Sequence, residues 1–270
     1  MPATTPARLR FVAESPVPGL AVTVRRVSKP RACVICVHGA LDRGGSFSRL
    51  VRALDGLDAV IYDRRGYQGS RALRPVDLDA HIGDLLALAD REAARQPVIL
   101  FGHSFGGVIT FAAALRRPES IRLVVSYEAP LPWVLPRPYL RQVLDDDPGV
   151  EAELFFRRVM SDAAWERLSE SQRESRRLDG PALLADLEVV RRPTAPFDLT
   201  DLSTPTTFAY GGGDAAWLDY YRDLGVALAH VNAAIETAEI ASATHSAHLS
   251  NADQLAELIE RRYVATCASA

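Results

Sequence analysis

Residues 98–107 read Val98-Ile99-Leu100-Phe101-Gly102-His103-Ser104-Phe105-Gly106-Gly107, a serine set between a short apolar run and a group of glycines. A serine hydroxyl is a poor nucleophile at neutral pH, so a catalytic one must be held at an exposed turn beside a base. The Gly-x-Ser-x-Gly frame offers such a turn: a strand enters, a helix leaves, and the serine between them adopts strained backbone that tolerates no bulk at its flanks. Gly102 and Gly106 leave that room.

Outward from this turn, apolar runs with strand character alternate with helical patterns, the signature of a mostly parallel sheet covered on both faces. Strands are expected at Leu9 to Ala13, Ala21 to Val27, Ala32 to Val37, Ala59 to Tyr62, Val98 to Phe101, Leu123 to Tyr127, Thr206 to Tyr210 and Ala234 to Ile240. The first two read as an antiparallel start. Leu78, Ile82, Leu85, Leu86 and Ala89 repeat at helical spacing behind an Asp77 N-cap. Val108 to Leu115 forms the helix after the serine, and a last helix runs from about Ala252 to Val264.

The rhythm breaks between Pro130 and Ser203. Five prolines punctuate Pro130 to Pro148, and short helices are expected over Val150 to Met160, Asp162 to Ser171 and Pro181 to Val190. The expected division is therefore a core of residues 1–129 and 204–270 with an inserted helical cap at 130–203. Trp133, Phe155, Phe156, Met160 and Trp165 are candidates for lining an apolar pocket between cap and sheet, with mutual packing of the cap helices as the competing explanation.

Composition narrows the function. At 48% hydrophobic, 24% charged and a net charge of -3, the 270 residues describe an ordinary globular protein without the basic footprint of a nucleic-acid binder. No run approaches the roughly 18 apolar residues of a membrane span, and the N-terminus lacks a signal-peptide pattern. A cytoplasmic protein with a small-molecule substrate is expected; the oligomeric state is not legible. Lys29 is the only lysine among 31 basic residues, a bias that reads as GC-rich bacterial coding. Three cysteines make a poor disulfide framework, and Cys33 and Cys36, despite Cys-x-x-Cys spacing, lie within a buried-strand pattern that sends them to opposite faces. No cofactor is expected, nor a metal site, since no carboxylate–histidine cluster has ligand spacing.

Three further segments carry chemistry. Ile35-Cys36-Val37-His38-Gly39-Ala40 ends a strand with a loop able to present a backbone N–H, so Ala40 and Phe105 are the oxyanion-hole candidates. Thr207 to Asp214 is a strand running into three glycines and a carboxylate. Asp214 is placed to orient an imidazole, or to cap the helix that follows. Ile240 to Leu249 holds His245 and His248. His245, nearer the strand end, is the expected general base and His248 the reserve. His38 and His103 are expected to pack beneath the site, and His81 and His230 fall in helical patterns.

In these segments the chain resembles the α/β-hydrolase superfamily over nearly all its length. The matching pieces are His38-Gly39, Asp63-Arg64-Arg65-Gly66-Tyr67, the Gly102 to Gly106 elbow, the insertion after the sixth strand, Gly213-Asp214 and the His245 segment, with Ser104, Asp214 and His245 in the superfamily's order. The resemblance implies a doubly covered eight-stranded sheet and a serine hydrolase of the carboxylesterase or thioesterase kind. Its substrate would be a small or medium acyl ester, thioester or lactone. Carbon–carbon bond hydrolysis and perhydrolysis use the same triad, and a non-catalytic small-molecule receptor is the alternative of another class. Gln68 stands where a second glycine is frequent, and Thr244 precedes His245 where glycine is common. Glu128, at the end of the sixth strand, occupies the place where some superfamily members carry the catalytic acid, and is the reserve acid.

Overall fold

The computed structural model describes residues 10–11, 15–137, 143–213 and 218–268. β1 (Arg10–Phe11), β2 (Val22–Arg25), β3 (Cys33–Val37), β4 (Asp58–Tyr62), β5 (Val98–His103), β6 (Leu123–Tyr127), β7 (Thr206–Gly212) and β8 (Ile235–Ala241) form one sheet in the order β1-β2-β4-β3-β5-β6-β7-β8. β2 runs antiparallel to both its neighbours, and every other pairing is parallel. The eight expected strands are present, displaced by at most two residues at an end.

Chain order reverses direction across the sheet at β3 and β5, which pair in parallel with Val37 opposite Gly102. The loops leaving these two strands diverge to opposite sides, and the crevice between them is where open α/β sheets hold ligands. Both the His38-Gly39 loop and Ser104 emerge there.

Apolar side chains alternate across the central strands because both faces are covered. On one face α2 (Leu78–Ala93) and α3 (Phe105–Arg116) pack against the central strands and α8 (Leu218–Val231) against β7 and β8; on the other lie α1 (Ser48–Ala53), α9 (Ala247–Ser250) and α10 (Ala252–Ala268). Cys33 joins the first core and Cys36 the second, and burial raises both thiols far above their ordinary range. Asp77 caps α2, its Oδ1 accepting the Ala80 N–H at 2.8 Å. No helix among the described residues is long and apolar enough to cross a membrane.

Between β6 and β7 stand α4 (Pro148–Val159), α5 (Asp162–Glu166), α6 (Glu170–Leu178) and α7 (Gly180–Arg191). The single helix expected from Asp162 to Ser171 is divided. Ser161 caps α5, and Ser169 opens α6 in a capping box with Gln172. α6 reads Glu-Ser-Gln-Arg-Glu-Ser-Arg-Arg-Leu and has no apolar stripe. Polar contacts hold it instead, among them Arg177 to Glu153 of α4 at 3.0 Å and Arg176 Nη1 to the Leu41 carbonyl at 2.5 Å.

Arg64 fastens this insertion to the sheet. Its guanidinium, fully buried, donates from Nε to the His38 carbonyl at 2.9 Å and from Nη2 to the Gly39 carbonyl at 3.1 Å. The same group grips Asp186 of α7 bidentately, at 2.5 and 3.1 Å, while the Tyr67 hydroxyl donates to Asp186 at 2.6 Å. Gln68, at φ 40°, takes the left-handed turn that glycine would enter more easily; its N–H on Asp179 and its Oε1 under the Ser175 hydroxyl hold it there.

His38 is buried as the neutral ring. Its Nε2 accepts the Arg64 N–H at 2.9 Å, so Nδ1 carries the proton toward the Gly39 carbonyl at 2.8 Å. Burial, with the Arg64 charge beside it, lowers its pKa to about 3.

Asp186→Ala leaves the Arg64 cation buried and unpaired, and is expected to cost about 3–5 kcal/mol in urea unfolding, with Arg64→Met/Asp186→Leu recovering part of the loss. Because the unfolded His38 takes up a proton near pH 6.5 and the folded ring does not until about pH 3, stability is full above 6.5 and declines as pH falls through that window. Unfolding titrations between pH 7 and 4 should show up to ~1.4 kcal/mol per pH unit from this ring, and His38→Gln should flatten the slope by about one proton.

Candidate active site

Ser104 lies between β5 and α3 at φ 53°, ψ -125°, and its N–H donates to the Tyr127 carbonyl at the end of β6 at 2.8 Å. Such backbone is strained for any residue with a Cβ and persists only where its surroundings enforce it. A Cβ on Gly106 would stand 2.0 Å from the Val37 carbonyl oxygen, and one on Gly102 would stand 2.6 Å from the Gly106 carbonyl. The glycine frame therefore permits β3, β5 and α3 to close on one another. Gly39 passes equally near, since its Cβ would meet the Ser104 Cβ at 2.9 Å.

The two oxyanion-hole candidates sit at this junction. Ala40 follows Gly39 and lines the cavity over Ser104. Phe105 opens α3, so its N–H belongs to the first turn, whose amides lack acceptors within the helix.

His245 lies in the loop after β8, its Nδ1 2.6 Å from Glu128 Oε2. Glu128 is fully buried at the C-terminal end of β6, at φ 50°, and its other oxygen accepts the Gly211 N–H at 2.9 Å. Two donors from the neighbouring strand ends fix the histidine loop: His103 Nε2 on the His245 carbonyl at 2.8 Å and the Tyr127 hydroxyl on the Thr244 carbonyl at 2.7 Å. The Tyr221 ring lies 14° from parallel to the imidazole, with centroids 6.0 Å apart.

Asp214 falls outside the described residues. The structure thus brings His245 to Glu128, the reserve acid. His248, the reserve base, is buried against the His103 ring, with Nε2 3.5 Å from Asp42. Burial and the neighbouring His248 and His245 hold the His103 imidazole well below its usual range. Asp42, His103 and His248 each bring one ligand-capable atom within 4.8 Å of the others. Nothing in the sequence announced that cluster, because its members come from a loop, the end of β5 and a short helix far apart in the chain. His81 is buried and faces Arg64 and Asp186, whereas His230 is exposed on α8.

A cavity of about 720 Å³ opens over Ser104 and His245. Of the five pocket candidates, Phe155, Phe156 and Met160 line it, whereas Trp133 and Trp165 do not. Trp133 packs edge-on against Phe197, and Trp165 is sealed behind Phe156. Lining groups that sequence reasoning missed include Tyr221 and the arginines Arg43, Arg137, Arg158 and Arg176. Their charge alone gave no signal in a chain so rich in arginine.

The model of the alpha/beta hydrolase family matches residues 34–258, and the chain belongs to that family. Among curated relatives, lipase LipV of Mycobacterium tuberculosis is 32% identical over 94 residues, 35% of this chain and 36% of its own length. Human monoglyceride lipase is 35% identical over 96 residues, 33% of this chain and 32% of its own. The matched stretch therefore spans about a third of these relatives. In fold, the chain is similar to a thermophilic esterase from Thermogutta terrifontis, with a TM-score of 0.68 at 19% identity over 96% of this chain and 99% of the other. It is also similar to MenH from S. aureus, with a TM-score of 0.69 at 14% identity over 91% and 98%.

Gly106→Ala drives a methyl group into the Val37 carbonyl and is expected to destabilise the protein by about 3 kcal/mol or more. Gly83→Ala, on α2 with nothing within 4 Å, should be stabilising by ~0.5–1 kcal/mol. Paired urea melts check both.

Proposed function

We propose that the chain is a serine hydrolase that cleaves an ester, thioester or lactone of small or medium size through an acyl-enzyme, with Ser104 as nucleophile, His245 as base and Glu128 as acid. The observation that carries this reading is the 2.6 Å contact between His245 Nδ1 and Glu128, made beside a cavity that Ser104 also lines. With Nδ1–H committed to the carboxylate, Nε2 is the nitrogen left to take the Ser104 proton. The serine oxygen then attacks the carbonyl carbon, and the Ala40 and Phe105 N–H groups receive the charge that develops on the carbonyl oxygen. The imidazolium, stabilised by Glu128, returns its proton to the leaving group, and a water activated by His245 releases the acid. Helices α4 to α7 act as the lid of this site. The lipases and esterase among its relatives support carboxylic esters as the first substrates to assay.

A fluorophosphonate probe is expected to label Ser104 in the folded protein, and peptide mass spectrometry locates the adduct; an unlabelled serine would overturn the mechanism. Glu128→Gln and His245→Ala should each lower kcat on p-nitrophenyl esters by about 10³–10⁴. Asp214→Asn should change it less than about tenfold. The reverse pattern would return the acid role to Asp214.

A further inference from the structure

Among the described residues, four arginines and a single acid, Asp42, line the cavity over Ser104. Two of the four have local partners: Arg137 donates to the Tyr221 hydroxyl at 3.2 Å, and Arg158 lies 3.3 Å from Glu151. Arg43 and Arg176 are different. Arg43 Nε and Nη2 and Arg176 Nε are enclosed and meet no hydrogen-bond partner among the described residues.

The acids nearby are occupied elsewhere. Asp42 accepts from the Ser46 hydroxyl at 2.9 Å and faces His248, while Asp179 Oδ1 accepts from the Gln68 N–H and from Arg71. Arg176 instead lies against the Phe156 ring and donates Nη1 to the Leu41 carbonyl. Burial, and then the charge of Arg43, pushes its pKa down to about 10. Asp42 and Asp179 offset part of this charge from nearby, but neither makes a hydrogen bond to the enclosed nitrogens, and donors held without an acceptor in a pocket wall favour an anion that enters it.

We propose that Arg43 and Arg176 form an oxyanion-binding subsite, and that the substrate is an ester or thioester carrying a carboxylate or phosphate on the same small molecule. This deepens the serine-hydrolase reading and rests on it for the scissile bond. Arg43 follows Ala40, the oxyanion-loop residue, by three positions, at most about 11 Å of chain. The anion it meets therefore lies within one small molecule's length of the reacting carbonyl. Phe155, Phe156 and Met160 supply the apolar wall along which the intervening carbons lie.

The decisive pair of substrates is mono-p-nitrophenyl glutarate and its methyl ester, which differ in charge at the far end. The free acid is expected to show at least about tenfold higher kcat/KM at low ionic strength, and the ratio should fall toward one in Arg43→Met/Arg176→Met. Arg43→Met alone serves where the double variant does not fold. A ratio of one or less in the parent protein, or one unmoved by the substitutions, would overturn the subsite.

Calorimetry with the Ser104→Ala protein separates this from the catalytic reading. Glutarate or inorganic phosphate should bind saturably and lose binding when the arginines are replaced, and the tighter anion identifies the carboxylate or phosphate source. Binding without turnover of either ester keeps the subsite while the hydrolase mechanism fails. If neither anion binds, the subsite is wrong whatever the enzyme hydrolyses.

Discussion

A guanidinium with no access to water is an expensive thing to bury, and it survives only where each of its faces meets an acceptor. Arg64 meets this demand with the carbonyls of His38 and Gly39, the carboxylate of Asp186 and Nε2 of His81. Those acceptors belong to three parts of the chain. The loop after β3 acquires its course over Ser104, α7 acquires its docking position, and the His38 ring is held in one tautomer because its Nε2 must receive the Arg64 N–H. The positive-φ backbone of Ser104 relies on the same loop, since Gly39 and the Val37 carbonyl press upon the serine turn. Removing the arginine would therefore disturb the proposed oxyanion loop and the docking of α7 together.

The centre of the sheet was legible from the chain because β3, β4, β5 and β6 are mostly apolar runs buried along their whole length. The helices of the insertion were less so. α4 and α7 carry buried residues at helical spacing, whereas α6 has none and is held by arginines to neighbouring carboxylates and carbonyls. Hydrophobic periodicity has nothing to detect in such a helix. Its start was nonetheless written locally, in the Ser169 and Gln172 capping box.

The site divides along similar lines. Ser104 was readable because its strain demands glycines at fixed spacing, and His245 because it follows the last strand. The acid was not decided by local sequence, since a carboxylate ends both β6 and the Thr207 to Asp214 segment and either position suits an imidazole partner. The contact of His245 with Glu128, on which the proposed acid rests, comes from packing of the histidine loop against β6, where the Tyr127 hydroxyl also holds the Thr244 carbonyl. The unpartnered arginines were hidden for another reason: one follows β3 and the other lies in α6, 133 positions apart (176 − 43).

Glu128 and Ser104 are 24 residues apart and ride on adjacent parallel strands joined by α3. The proposed nucleophile and the proposed acid thus belong to one β-α-β unit. Their separation is set by one crossover helix, whereas His245 comes from 117 residues beyond Glu128. A shift of α3 along the sheet would therefore change the spacing of Ser104 and Glu128 directly, and would reach His245 only through its contacts with Glu128, His103 and Tyr221.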